Sequence, residues 1–238
     1  MDRDNRPHGN ARRLPDLGHP ALTAPHQITP GKFITVEGGE GAGKSTQVAL
    51  LVAVLKRAGI DALATREPGG SPGAEAIRRL LLKGETERWD AIGETLLFFA
   101  ARRDHIARTI RPALDAGRWV VCDRFTDSTI AYQGYGRGLP LAALMAVRRF
   151  ALGDFDPDLT LLLDLPIAEG LERAARRSTA DRFERLDRDF HQRLRDGFLA
   201  IAAAEPARCA VIDAAGDIDA VHRAIVAAVS TRLGLSLT

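Results

Sequence analysis

Lysine is scarce in this chain: four among 238 residues, against 29 arginines. An arginine at any given position therefore carries little information, and a lysine in a chemically demanding position carries much. Cysteine is scarcer still. The two present, Cys122 and Cys209, cannot make a disulfide framework. Both lie in apolar runs, "WVVCD" and "CAVID", which read as strands with buried thiols in a reducing cytoplasm. No apolar run approaches a membrane span, and the N-terminus lacks a signal-peptide core, so no membrane association is expected. A large excess of one charge is also missing. With 33 basic and 31 acidic residues, a net charge of +2 argues against a nucleic-acid binder held by bulk charge.

What is present is enough chain for one α/β domain with a full core. Residues 1 to about 30 are rich in Pro, Gly, His and Arg without periodicity and read as a disordered tail; residues 31–238 read as the folded domain. From there strands alternate with helices. "FITVE" (33–37), "ALAT" (62–65), "WVVCD" (119–123), "LTLLLDL" (159–165) and "CAVID" (209–213) read as five strands. Helices are expected near 44–58, 74–83, 90–116, 126–134, 140–152, 166–176, 185–204 and 217–232. Such alternation predicts a three-layer α/β sandwich, a parallel sheet with helices on both faces and ligands at the strands' carboxyl ends.

One of the four lysines sits in "GGEGAGKST". Gly38, Gly43, Lys44 and Ser45 match G-x-x-x-x-G-K-[ST] between a strand and a helix. Bare backbone there lets N–H groups point at phosphate oxygens, and the helix N-terminus adds its dipole. Gly38, Gly39, Glu40, Gly41, Ala42, Gly43, Lys44, Ser45 and Thr46 form the expected nucleotide-phosphate cradle, with Lys44 on the β- and γ-phosphates and Ser45 on Mg²⁺. Asp123-Arg124 ends the third strand: the carboxylate is placed to reach Mg²⁺ and the guanidinium to grip a second phosphate, although alone the pair reads equally as a polar turn. Arg66-Glu67-Pro68-Gly69-Gly70 ends the second strand and reads as a ligand-approaching loop or a bland one. Phe98 and Arg102 share a helix face, a spacing that also fits core packing beside a solvated charge. "AARRSTADR" (174–182) reads as a solvated helix face or as part of a mobile cationic lid, about 172–185. His105, His191 and His222 are expected at the surface or half-buried.

Five stretches, "EGGEGAGKST" (37–46), "TREPGG" (65–70), "LLFFAARR" (96–103), "DRFTDSTIAYQGYGRG" (123–138) and "LGDFDPDLTLLLD" (152–164), stand in an order and spacing that resemble the thymidylate kinase family. The resemblance runs from about residue 32 to the C-terminus. It implies a P-loop nucleoside monophosphate kinase fold, ATP and Mg²⁺ as donor and metal, dTMP as acceptor, and a homodimer. Phe98 would stack on thymine, Arg102 would bond its edge, and Gln133, Ser128 and Thr129 would lie close by. Arg66 and Arg124 would hold the dTMP phosphate, Glu40 would sit near the 3′-hydroxyl, and Ser45, Asp123 and Glu37 are the candidate metal ligands. Some family members carry an arginine inside the phosphate loop; here Glu40-Gly41-Ala42 stands there, so the resemblance is to the bacterial type whose lid supplies the cation. Arg177 is favoured, with Arg173 and Arg182 in reserve and Arg176 silent. Two other readings stay open: a kinase for another nucleoside monophosphate, and a nucleotide switch. The switch predicts a guanine-reading N-K-x-D together with D-x-x-G, a pair the chain lacks.

Overall fold

The computed structural model describes residues 30–85, 87–176 and 182–237. The expected tail and Arg177 lie outside the described residues.

Five strands, β1 (Phe33–Glu37), β2 (Ala62–Arg66), β3 (Trp119–Asp123), β4 (Leu159–Asp164) and β5 (Cys209–Asp213), form one parallel sheet in the order β2-β3-β1-β4-β5. β1 and β4 are buried almost throughout, as near-continuous apolar runs should be in a sheet covered on both faces. The chain leaves β1 towards β2 on one side and later crosses to β4 on the other, so the sheet reverses direction at β1. That reversal opens a crevice beyond the carboxyl ends of β1, β3 and β4.

Among the described residues nine α-helices cover the sheet: α1 (Lys44–Arg57), α2 (Pro72–Leu82), α3 (Ala91–His105), α4 (Arg111–Asp115), α5 (Thr126–Thr129), α6 (Leu141–Leu152), α7 (Ile167–Ala175), α8 (Arg188–Ala204) and α9 (Ile218–Leu233). On one face Val48, Leu51, Val52 and Leu55 of α1 and Val221, Ile225 and Val229 of α9 pack on Ile34, Val36 and Leu161. On the other, Phe99, Ile106 and Ile110 meet Phe33, Val120 and Phe125, and beside them Phe190, Leu194 and Phe198 of α8 close on Tyr132 and Leu162. Cys122 and Cys209 are both buried and free.

Two stretches read as α-helix are π-helical, Ile106–Ile110 and Ile130–Gly136. The first precedes Pro112, which has no N–H to donate; the Arg111 N–H bonds Ile106 O, five residues back. The second lies against α8 at unusually close range. A Cβ on Gly136 would sit 2.5 Å from the Phe190 ring, and one on Gly197 would sit 2.5 Å from Tyr135. His222 is half-buried as expected, but the other two histidines depart from expectation. His105 is fully buried, between Thr65 Oγ1 at 2.8 Å and Glu67 Oε1 at 3.0 Å, and His191 is buried too. Their helices turn these faces to the interior.

Candidate active site

The loop between β1 and α1 wraps the end of the sheet reversal. Gly43 caps α1 at φ 83°, in the left-handed region that favours glycine. Gly41 passes so close to α7 that a Cβ there would lie 2.0 Å from Gly170 O. Inside the loop Lys44 is buried, its Nζ donating to Gly38 O at 3.1 Å and Gly39 O at 2.7 Å. Burial, joined by the Arg124 charge, lowers its pKa to about 8. Ser45 Oγ donates to Asp123 Oδ2 at 2.5 Å, which brings together a hydroxyl and a carboxylate from two elements.

Arg124 is the only non-glycine with a positive φ among the described residues, at 70°. Its N–H bonds Val36 O at 3.0 Å. Glu37 then clamps the turn, accepting from Phe125 N at 2.7 Å and from Ser128 Oγ at 2.6 Å. The guanidinium donates to Gly38 O, Ser128 Oγ and Glu40 Oε1 (3.1, 3.2 and 2.8 Å) and lies 5.0 Å above the Tyr132 ring. Glu40 also accepts from Tyr132 Oη at 2.5 Å. Burial alone would raise its pKa, but Arg124, Lys44 and the tyrosine outweigh that and lower it to about 2.

A cleft of about 340 Å³ opens at these strand ends. Its phosphate-loop end carries Glu40, Gly41, Gly43, Lys44, Ser45 and Thr46, while Gly38, Gly39 and Ala42 support the loop from behind. Arg66 enters from β2, half exposed and 3.0 Å from Glu75. The far wall is α3 and the second π segment. Phe98 lines the cleft, partly buried, with its ring centroid 6.0 Å from that of Phe183. Arg102 is buried: Nε donates to Glu67 Oε2 at 2.6 Å and Nη2 to Phe125 O at 2.9 Å, while Nη1 has no partner among the described residues. Gln133 Oε1 and Thr129 Oγ1 are likewise buried without partners, and all three residues line the cleft. Such orphaned polar atoms are costly and mark where a ligand belongs.

Two expected site residues stand elsewhere. Glu37 is wholly buried, does not line the cleft, and has both carboxylate oxygens occupied by Phe125 and Ser128. Its position suits a brace for the β3 turn and not a metal ligand. Arg182 is turned away from the phosphate loop; it is buried, donating to Leu81 O and to Glu94 Oε1 at 2.6 Å, with its guanidinium over Phe183. Arg173 lines the cleft, held by Glu169 Oε1 at 2.6 Å and the Ala214 and Ala215 carbonyls. Arg176 pairs with Glu172 at the surface. The D-x-x-G strings that do occur are structural: Asp90 caps α3 through Gly93 N, and Asp213 accepts from Ala215 N beyond β5.

Tyr132, Glu67 and Glu94 are the polar residues that sequence reasoning did not pick out. Tyr132 and Glu67 stand inside the quoted "YQG" and "REPGG" stretches, where that signal was available.

The thymidylate kinase family model matches residues 36–225. The chain belongs to the thymidylate kinase family. It is 56% identical over 208 residues to thymidylate kinase of Caulobacter vibrioides, covering 87% of this chain and all of that one. It is 54% identical to the Rhizorhabdus wittichii enzyme, covering 86% and 99%. A crystal structure of thymidylate kinase from Ehrlichia chaffeensis superposes with a TM-score of 0.67 at 36% identity, over 84% of this chain and 99% of that one. As a thymidylate kinase family member the chain has a nucleoside monophosphate kinase architecture, and the family implies ATP as phosphoryl donor. Among the described residues no helix is long and apolar enough to cross a membrane.

Proposed function

We infer that this protein transfers the γ-phosphoryl group of ATP to dTMP, releasing dTDP and ADP. One observation carries the reading: the phosphate loop shares a cleft with a partly buried phenylalanine ring and with an arginine N–H and a glutamine carbonyl that are unpaired among the described residues. Thymine offers the complement, a π-face for Phe98, a carbonyl for Arg102 Nη1 and a ring N–H for Gln133 Oε1. Thr129 would meet a further polar edge, and Ser128 would steady Arg124.

A dTMP phosphate oxygen would attack the γ-phosphorus in line. The new P–O bond forms as the bond to the β-phosphate oxygen breaks, and that electron pair leaves on ADP. No general base is needed, because the acceptor is already a dianion. Lys44 would leave the loop carbonyls for the migrating group, and Arg66 and Arg124 would hold the acceptor phosphate. Glu40, on the acceptor side of Arg124, would accept from the 3′-hydroxyl. Ser45 and Asp123 provide hard oxygens that suit Mg²⁺, which prefers one or two protein ligands and phosphates; bound there it would neutralise phosphate charge. The remaining cation would come from the arginine-rich stretch that begins in the last turn of α7 and continues past it, Arg177 first and Arg173 second. We also propose a homodimer, supported by exposed apolar residues on α3 and α6, and a reducing cytoplasm, supported by the two buried free thiols.

The test is ADP release by the purified protein with ATP, Mg²⁺ and each of dTMP, dUMP, dCMP, dGMP and dAMP. dTMP should give the highest kcat/KM. A preference for a purine nucleotide would overturn the assignment of the base wall.

A further inference from the structure

Glu94 lies on α3 one turn before Phe98 and two turns before Arg102, on the same helix face, and is wholly buried. Three donors converge on it. Oε1 accepts from Arg182 Nη2 at 2.6 Å and from Arg137 Nη2 at 3.3 Å; Oε2 accepts from Gln133 Nε2 at 3.1 Å. The last contact settles which way the Gln133 amide faces. Carboxylate oxygens accept, so the amide must present its NH₂ to Glu94 and its carbonyl to the cleft, where Oε1 has no partner among the described residues.

We propose that Glu94 is a specificity-determining positioning residue: by holding the Gln133 amide in one orientation, it makes the cleft select a pyrimidine with a ring N–H beside a carbonyl and refuse its 4-amino counterpart. The proposal rests on reading the cleft as the dTMP site. A freely turning glutamine would suit both bases, since one end donates and the other accepts. Fixed by Glu94, it only accepts. Thymine or uracil then finds the carbonyl of Gln133 opposite its N3–H and Arg102 Nη1 opposite its O4. Cytosine meets a carbonyl opposite the N3 lone pair and an N–H opposite its own amine, so both contacts become repulsive.

The substitution Glu94→Gln tests this. Its side-chain oxygen stays on the two guanidinium groups, and its NH₂ then faces Gln133. Gln133 must turn its carbonyl outward to that NH₂ and its own NH₂ into the cleft, where it complements cytosine. The ratio of kcat/KM for dTMP to that for dCMP should fall by about tenfold or more, through a higher KM for dTMP, with the KM for ATP unchanged. In a Gln133→Leu background the same change should leave the ratio unmoved, because the two residues act as a unit. Equal losses on both nucleotides, or an unchanged ratio, would overturn the proposal and reduce Glu94 to a structural anchor. If wild type itself does not prefer dTMP over dCMP, the reading of the cleft fails first, and that outcome is separate. Should Glu94→Gln not fold, the wild-type protein with ¹⁵N-labelled side-chain amides carries the test. The Gln133 NH₂ protons should be protected from exchange before any nucleotide is added; rapid exchange would overturn the proposal.

Discussion

Lys44 is held ready in a state that binding must change. In the free protein burial and Arg124 bring its pKa down to about 8, so it sheds its charge as pH rises through that value. Phosphate needs the charged form. The kcat/KM for ATP should therefore fall with one-proton dependence above pH 8, while kcat at saturating ATP stays flatter, because bound phosphate restores the proton. A kcat/KM constant to pH 10 would show that Lys44 does not meet the donor. Lys44→Ala should keep the fold and lower kcat by about 10²–10³-fold. Glu37 titrates in the opposite sense. Burial, then the nearby Asp127 charge, raises its carboxyl from 4.5 to about 7. A raised folded pKa means that the folded state binds the proton more tightly than the unfolded one. The resulting stability is complete below 4.5 and is lost as pH rises through 7. Glu37→Gln should flatten the change in melting temperature between pH 5 and pH 7.5 relative to wild type; an identical slope would show that this carboxyl does not titrate there.

At the scale of elements, α3 carries Phe98 and Arg102 while the proposed cation belongs to the stretch around the end of α7, and the two should fail differently. Phe98→Ala should raise the KM for dTMP by about one to two decades, the worth of a base stack, and leave that for ATP alone. Arg177→Ala should lower kcat with a smaller change in the KM for ATP, since a cation arriving on closure favours the transition state over bound ATP. Arg182→Ala should instead lower the melting temperature, because Glu94 would lose its closest partner in a buried site. A kcat loss at Arg182 as large as that at Arg177 would overturn this division. Much of the frame was legible beforehand. All five strands were read within a residue, because short β-branched and apolar runs between Gly, Pro and charge clusters have few other readings. The π segments were not, since widening by one residue per turn leaves the apolar spacing helical. Nor was Glu94: a glutamate on an amphipathic helix reads as solvated, and its partners stand 39, 43 and 88 residues away. Arg182 failed for the same reason, since local charge density does not say which distant carboxylate will claim it.

For the molecule as a whole, the sheet order sets the cleft and α3 forms one of its walls. Among the described residues nothing covers the face of α3 opposite Glu94, Phe98 and Arg102. Ile92 and Leu96, one turn apart, are 60% and 54% exposed. On α6, which packs on α3, Leu141 and Met145, also one turn apart, are 41% and 44% exposed. Apolar residues paired in this way on adjacent helices suit a self-complementary contact about a two-fold axis. Residues 1–29 offer no apolar periodicity with which to cover the face, so their deletion should leave both melting temperature and turnover unchanged. A second copy would cover it, and a stable pair needs about 1,200–2,000 Å² of buried surface, which two helices from each copy can supply. The protein should therefore elute with twice the chain mass of 25.7 kDa when size-exclusion chromatography is read by light scattering. Leu96→Glu combined with Met145→Glu should yield the single-chain mass with folded circular dichroism. Because the uncovered face and the base wall are two sides of one helix, that monomer should also show a higher KM for dTMP and an unchanged KM for ATP. Wild type running as a monomer at micromolar concentration, or a double variant that remains dimeric, would move the interface elsewhere.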